Sequence, residues 1–187
     1  GAALDGIPQD VSDEEGSSHP DPESLIILPW RKDVAWFASD LWCKGKPFAP
    51  CSRHIFKNAL SQATEMGYSF NFGIEPEFFL LKQRDDGTFG PIGPRDNIDK
   101  PAYDIRSTLD SFDLLEEIVS TLNELDYDVY SYDHEDGNGQ FEIDCTYTDG
   151  LNAADRLVFF RLLVSEFAHQ HGCFASFMPK PFGDRAG

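Results

Sequence analysis

The stretch GIEPEFFLL, residues 73–81, decides how the rest of the sequence is interpreted. It places Glu75 and Glu77 two residues apart in an otherwise apolar run. The even positions around them are apolar: Phe70, Phe72, Ile74, Pro76, Phe78 and Leu80. Because a strand alternates its faces with a period of two, this pattern predicts one strand over residues 69–81, with both glutamates on one face and the aromatic row on the other.

Two carboxylates this close to an apolar core repel each other. At a rise of about 3.3 Å per residue, their Cα atoms are expected to lie about 6.6 Å apart. At an effective dielectric constant of about 20, two charges at that distance repel by roughly 2.5 kcal/mol. A divalent cation between them removes this cost, so the pair indicates a metal site. The spacing alone leaves open a second interpretation, an ordinary solvated strand face.

Length and composition limit the classes of protein. The 187 residues include 41% hydrophobic residues and 16 phenylalanines, which is enough for a sizeable core in one or two domains. Lys and Arg total 15 against 33 Asp and Glu, a net charge of −18. Such a chain lacks the basic surface that nucleic acids and anionic membranes require, so neither is an expected partner. The charge fits a cytoplasmic protein, one adapted to high salt, or one that binds several cations.

The cysteines and the apolar runs indicate the compartment. Cys43, Cys51, Cys145 and Cys173 show no CxxC spacing, which argues against a zinc knuckle or a disulfide framework and favours a reducing compartment. The sequence contains no run of 18 apolar residues and no charged leader, so we expect no membrane span or signal peptide and a cytoplasmic location. Because the first residue is Gly1, we expect a processed chain or part of a longer polypeptide.

The order of apolar patterns and turn residues predicts an α+β fold in which helices back a mostly antiparallel sheet. An acidic loop rich in Gly, Pro and Ser is expected over residues 1–24. The expected elements after it are two short strands in 25–42, a helix over 52–66 that ends at Gly67, the 69–81 strand, a hairpin turn at 84–88, an irregular crossover over 89–108, a helix over 109–125, strands on either side of 136–139, a helix over 153–169 and a strand over 173–178.

A second acidic motif, HEDGNGQFE, occupies residues 134–142. Its two glycines permit a tight turn that lets Glu135 and Glu142 face the same space. With the first pair they make four strand-borne glutamates, an all-oxygen ligand set that suits Mg²⁺ or Mn²⁺ better than Zn²⁺. Two alternatives stay open here: Glu135 as an ordinary turn carboxylate, and His134 as a structural histidine.

These motifs together resemble the glutamine synthetase family. The resemblance rests on four blocks in the family's order: LPWRKDVAWFASDLW (28–42), GIEPEFFLLK (73–82), HEDGNGQFEID (134–144) and HGCFASFMPKPFGDRAG (171–187). The residues in these blocks are most similar to those of the branch often called type III or GlnT-like. The resemblance implies the catalytic-domain fold of that family preceded by the end of a small β-grasp domain. Residues 1–48, with the acidic loop, would be the β-grasp remnant and residues 49–187 the first half of the catalytic domain.

The resemblance also implies roles for particular residues. The metal that positions the substrate glutamate would be held by Glu77, Glu135 and Glu142. Glu75 would contribute to a second metal that bridges the ATP phosphates, and Tyr147 would lie against the nucleotide. Strict alternation puts Tyr147 on the face opposite Glu142, and Tyr130 stands where the family often has an acidic residue. No catalytic residue is assigned within this segment, because the resemblance implies that the family's histidine ligand and phosphate-binding arginines would follow position 187.

The implied activity is ligation of ammonia to the γ-carboxylate of glutamate, dependent on ATP and on Mg²⁺ or Mn²⁺, through a γ-glutamyl phosphate. The alternatives are a γ-glutamyl-amine ligase that accepts methylamine or a polyamine, and a non-catalytic structural relative. The resemblance implies a ring-shaped homo-oligomer of the dodecamer type with active sites between subunits. Asp5 is similar to an aspartate that helps to bind ammonium across that boundary.

Overall fold

A computed structural model describes residues 15–186, so Asp5 and the rest of residues 1–14 lie outside the described residues, as does Gly187. The described chain forms four α-helices: α1 (Ser52–Glu65), α2 (Ile105–Asp110), α3 (Phe112–Glu124) and α4 (Gly150–Gln170). Its strands are β1 (Gly16–Pro20), β2 (Ile26–Ile27), β3 (Ala35–Trp36), β4 (Ser39–Cys43), β5 (Lys46–Pro47), β6 (Asn71–Phe72), β7 (Glu77–Gln83), β8 (Phe89–Pro91), β9 (Val129–His134), β10 (Gln140–Cys145), β11 (Thr148–Asp149) and β12 (Phe174–Ser176). No helix between residues 15 and 186 is long and apolar enough to cross a membrane.

The described residues divide into two compact units, 15–70 with 149–155 and 71–148 with 156–186. In the first unit, β1, β4 and β5 form an antiparallel sheet, and β2 pairs with β3. β2 and β3 match the two short strands predicted in 25–42, and β4, which begins at Ser39, is a third strand that the prediction did not include. The predicted domain boundary at residues 48 and 49 stays a prediction.

The prediction of a loop over residues 1–24 was wrong for β1. This strand pairs with β4 along its whole length, from Gly16 opposite Cys43 to Pro20 opposite Ser39. The imidazole of His19 also stacks on the Trp42 ring, with centroids 4.5 Å apart. Pairing with a distant strand therefore outweighs the loop-like local composition, which carries no information about that partner.

The second unit contains an antiparallel sheet in which β7 is central. On one edge of β7 lies β12, on the other edge β10 and then β8, and β9 pairs with the far side of β10. The helices α2 and α3 contact β9. The predicted α+β fold with a mostly antiparallel sheet is confirmed.

The single strand predicted over 69–81 is in fact divided. β6 ends at Phe72, residues 73–76 have no regular structure, and β7 begins at Glu77. Pro76 has no N–H to give to a ladder, which explains the interruption. Beyond it, the four residues from Phe78 to Leu81 are all at most 2% exposed, so both faces of β7 are covered and the predicted alternation ends at Glu77.

Helix boundaries differ from the predicted ones where a cap was missed. The helix predicted over 109–125 begins earlier, at α2, because the Asp104 carboxylate accepts a hydrogen bond from the Ser107 N–H at 2.9 Å. A break at Ser111 then separates α2 from α3. The buried stripe of α3 consists of Leu114, Leu115, Ile118 and Leu122, and that of α4 includes Phe160, Leu163, Val164 and Phe167.

Candidate functional site

The pairing of β7 with β10 places two glutamates directly opposite each other. Glu142 is the register partner of Glu77, and Phe141 is the partner of Phe78. Opposed residues of an antiparallel pair share a face, with their Cβ atoms about 4.5–5.5 Å apart. The Phe78 ring packs on Phe160 of α4, so that face belongs to the core. Glu77 and Glu142 therefore lie together on the other face of the sheet.

Glu135 and Asp144 join this pair, and we call the four side chains Glu77, Glu135, Glu142 and Asp144 the acidic face. Glu135 follows β9, and its N–H donates to the Gln140 carbonyl at 2.9 Å, so the tight turn brings it back beside β10. Asp144 lies two residues after Glu142 on the same strand. The structure thus brings three of the predicted glutamates together, as the alternating patterns predicted, and it adds Asp144.

Burial and mutual repulsion disfavour the charged forms of these carboxyls. Burial, the nearby Asp144 charge and a hydrogen bond with Glu135 raise the pKa of Glu142 to about 7. Burial and then the charge of Glu135 raise the pKa of Glu77, although a hydrogen bond from Gln140 opposes the shift. Burial and then the charge of Glu75 raise the pKa of Asp144. Ionisation of all of these carboxyls together is therefore unfavourable in the absence of a cation.

Gln140 connects the acidic face to the turn over residues 136–139. Its amide Nε2 donates to Oε2 of Glu77, and its Oε1 accepts from the Gly137 N–H at 2.9 Å. The residue is only 2% exposed. Both ends of a buried amide are therefore satisfied, and one of them is used on a carboxylate of the acidic face.

A buried pair formed by Asp96 and His134 supports the same turn. The Asp96 carboxylate, 3% exposed, bonds His134 Nε2 at 2.9 Å and also accepts from Asn138 Nδ2 and from the Gly139 N–H. His134 Nδ1 lies 2.8 Å from the Glu135 carbonyl oxygen. His134 is thus a structural histidine, the alternative that the sequence left open. Asp96 was missed, because it stands 38 residues before His134 in an irregular segment with no local signal.

Glu75 and Tyr147 occupy different surroundings from the other predicted residues. Glu75 is exposed in the irregular segment 73–76, outside any strand, so its predicted place on a strand face was wrong. Tyr147 is 67% exposed and follows the end of β10 at Cys145, so the strand alternation used to place it does not reach it. A Cβ added at Gly73 would lie 3.9 Å from the Tyr147 Cβ, so the segment that carries Glu75 passes beside Tyr147.

The donor set of the acidic face consists of carboxylate oxygens, which suit a hard divalent cation. Oδ1 of Asp144 is buried and has no hydrogen-bond partner, so an oxygen there is available to a ligand. Within residues 15–186, however, no three His, Cys, Asp or Glu side chains converge closely enough to form a complete metal site. The acidic face therefore has oxygen donors of the type that a hard cation prefers, but the described residues form no complete site.

A sequence profile of the family described as glutamine synthetase, catalytic domain, matches residues 49–187. The chain belongs to this family. The resemblance found in the sequence motifs is thereby confirmed, while assignment to the type III branch stays a prediction. The acidic face lies within the matched part of the chain.

Individual relatives include both glutamine synthetases and an amine ligase. The chain is 40% identical over 169 residues to a glutamine synthetase of Rhizobium leguminosarum bv. phaseoli, covering 90% of this chain and 38% of that protein. It is 40% identical over 167 residues to a glutamate–methylamine ligase of Methyloversatilis universalis, covering 89% of this chain and again 38% of the relative. The chain thus spans well under half the length of these relatives.

Among solved structures, one described as a GmaS/ADP complex superposes with a TM-score of 0.91 at 40% identity. The match covers 96% of this chain and 41% of that one. A structure described as GmaS without ligand gives the same TM-score over 100% of this chain and 45% of the other. At this level of agreement, the fold of the chain is that of the glutamine synthetase family.

Proposed function

We propose that this chain is part of a longer polypeptide, called here the parent protein, that ligates ammonia or a small amine to the γ-carboxylate of glutamate at the expense of ATP. The opposition of Glu77 and Glu142 across β7 and β10, inside the matched family region, carries this proposal. In a purely structural relative, two carboxylates that lie opposite each other and repel would have no function.

In this proposal the residues of the acidic face hold Mg²⁺ or Mn²⁺. Glu77, Glu135 and Glu142 would hold the ion that orients the substrate glutamate, and Glu75 would contribute to a second ion near the ATP phosphates. When bound, such ions would offset negative charge on the phosphoryl group while its bond to the β-phosphate of ATP breaks and its bond to the γ-carboxylate of glutamate forms, which would give γ-glutamyl phosphate and ADP. Residues outside this chain complete both sites. Tyr147, largely exposed beside the Glu75 segment, packs against the nucleotide.

The acceptor is either ammonia or an amine such as methylamine. The relatives support each possibility equally, because a glutamine synthetase and a glutamate–methylamine ligase are both 40% identical to this chain. Ammonia is the first choice from the sequence motifs, with methylamine and polyamines as alternatives. We further propose a cytoplasmic parent protein that assembles as a ring-shaped homo-oligomer of the dodecamer type.

An acceptor panel on the purified parent protein tests the proposal. With glutamate, ATP and Mg²⁺ or Mn²⁺, we expect ADP release coupled to amide formation with ammonia, methylamine or a larger amine, and none after the metal is chelated. The acceptor with the highest kcat/KM identifies the activity. Absence of glutamate-dependent ADP release with every acceptor would instead support a non-catalytic relative.

A further inference from the structure

We propose that Gln140 is a positioning residue that fixes the Glu77 carboxylate for cation binding. This role rests on the proposed function, because it acts through a metal ligand assigned there. The amide Nε2 of Gln140 donates to Oε2 of Glu77, which leaves Oε1 for a cation. A hydrogen bond to one oxygen of a ligating carboxylate restricts its rotation and raises the fraction of time that the other oxygen spends in the ligating position.

The oxygen of the Gln140 side-chain amide is also held by a hydrogen bond. Its Oε1 accepts the Gly137 N–H at 2.9 Å, and a Cβ at Gly137 would lie 2.7 Å from that oxygen and 2.9 Å from the Phe79 ring. Only glycine leaves room for the amide at this point of the turn. The next anchor is Asp96, which accepts the Gly139 N–H. The amide of Gln140 is therefore attached to a turn that is itself fixed to a buried carboxylate.

This arrangement links two ligand-bearing segments before any cation arrives. Glu77 lies on β7, and Glu135 lies at the start of the turn that Gln140 closes. Without a donor, the charges of Glu135, Asp136 and Glu75 would push the Glu77 carboxylate away from the others, since all three act on it. Gln140 offsets this repulsion with a neutral donor, which holds Glu77 in place without cancelling the charge that attracts a cation.

A buried amide could instead serve only the stability of the turn, and a double-mutant cycle separates the two roles. Gln140→Met keeps the side-chain length but removes both hydrogen bonds, whereas Glu77→Gln removes the ligand through which Gln140 would act. If Gln140 works through Glu77, the effect of Gln140→Met on metal affinity disappears in the Glu77→Gln background. If it serves only the turn, the effect is the same in both backgrounds.

The experiment measures Mn²⁺ binding to the parent protein and its variants by the electron paramagnetic resonance of free Mn²⁺. We expect Gln140→Met to raise the Kd about tenfold in the wild-type background, the range typical of residues that orient a metal ligand, and less than about twofold in the Glu77→Gln background. Gln170→Met is the matched control, because Gln170 is exposed on α4 and its side-chain amide donates to Glu166, away from the acidic face. It should leave the Kd unchanged.

Each outcome of this experiment supports or overturns the positioning role of Gln140. Equal effects of Gln140→Met in both backgrounds, or no effect in the wild type, would overturn the positioning role and leave the proposed function intact. A wild-type parent protein that binds no Mn²⁺ would overturn both. An intact melting temperature of the double variant, measured in the same samples, excludes unfolding as the cause of any loss.

Discussion

Two groups of carboxylates in this chain differ in what surrounds them. In the first compact unit, Asp21, Asp40 and Asp155 surround Arg53, and we call these four residues with Lys57 the Arg53 cluster. Arg53 pairs with Asp21 at 2.7 Å, with Asp155 at 2.9 Å and with Asp40 at 3.2 Å, and Lys57 pairs with Asp40 at 2.8 Å. In the second unit, the carboxylates of the acidic face lie against one another.

The pKa of the carboxyl group shifts in opposite directions in the Arg53 cluster and on the acidic face. A hydrogen bond from Arg53 lowers the pKa of Asp21, and the pKa of Asp40 is lowered because Lys57 and Arg53 together outweigh the effect of burial. Burial and neighbouring carboxylates raise the pKa of Glu77 and Glu142. The Arg53 cluster carries its own cations and is a structural feature. On the acidic face the pKa values are raised by burial and by other carboxylates, which agrees with the proposal that it binds a cation.

Of the substitutions that test the difference between the acidic face and the Arg53 cluster, Glu142→Gln in the parent protein is expected to have the largest effect. Loss of a carboxylate ligand should reduce amide formation at least about 100-fold, because a metal supplies several kcal/mol to the transition state. The melting temperature of the metal-free protein should rise, since a like charge opposite Glu77 is removed. Calorimetry after chelation and a coupled ADP assay measure both. A lower melting temperature would contradict the repulsion between Glu77 and Glu142. The control is Glu124→Gln, at an exposed site on α3, which should change neither the rate of amide formation nor the melting temperature.

Arg53→Met should destabilise the folded protein, whereas Glu142→Gln should stabilise the metal-free protein. Removing the shared cation leaves three carboxylates with only Lys57, and we expect the free energy of unfolding to fall by about 2 kcal/mol, less than for a fully buried pair because the cluster is partly exposed. The Kd for Mn²⁺ should not change. Arg31→Met is the matched control, since the Arg31–Asp33 pair is exposed and should not contribute measurably. A large change in metal affinity would show that the two groups are not independent.

A smaller effect on stability is expected from Gly137→Ala. The added Cβ would meet Gln140 and Phe79 at under 3 Å, so overpacking should cost about 1–2 kcal/mol in the free energy of unfolding. Displacement of Gln140 should also weaken Mn²⁺ binding. Gly183→Ala, where an added Cβ meets nothing within 4 Å, serves as the control. Thermal unfolding and metal titration of both variants check this, and equal behaviour of the two would contradict the close packing of the turn.

The smallest effect concerns pH and the Arg53 cluster. Because the folded pKa of Asp40 lies below its ordinary value of 3.8, its stabilising contribution is fully present above about pH 5 and is lost as the pH falls through the folded pKa. Asp40→Asn should therefore lower the melting temperature by the same amount between about pH 6 and pH 8, and by less below about pH 4. A difference that grows on acidification would contradict the assigned ion pairs.

Several elements could be predicted from local pattern alone. The helical spacing of apolar residues after Ser52 predicted α1, and Gly67 adopts the positive φ of 86° expected at a helix end. The turn at 84–88 was also confirmed, with Gly87 at a φ of 82° and the Arg84 N–H bonded to the Thr88 carbonyl. These features depend on neighbours along the chain. Spacing therefore suffices to predict them.

Sequence alone also determined which residues are available for chemistry: four glutamates in two motifs, on polar sides of predicted strands, and the family to which those motifs belong. Only the tertiary structure decided that Glu142 lies opposite Glu77, that the strand is broken before Glu77, and that Gln140 and Asp96 hold the turn between the motifs. Strand register and side-chain bonds across 38 to 63 residues depend on how the whole sheet packs. No local periodicity encodes them, because alternation assigns a residue to a face but does not identify its partner on the next strand.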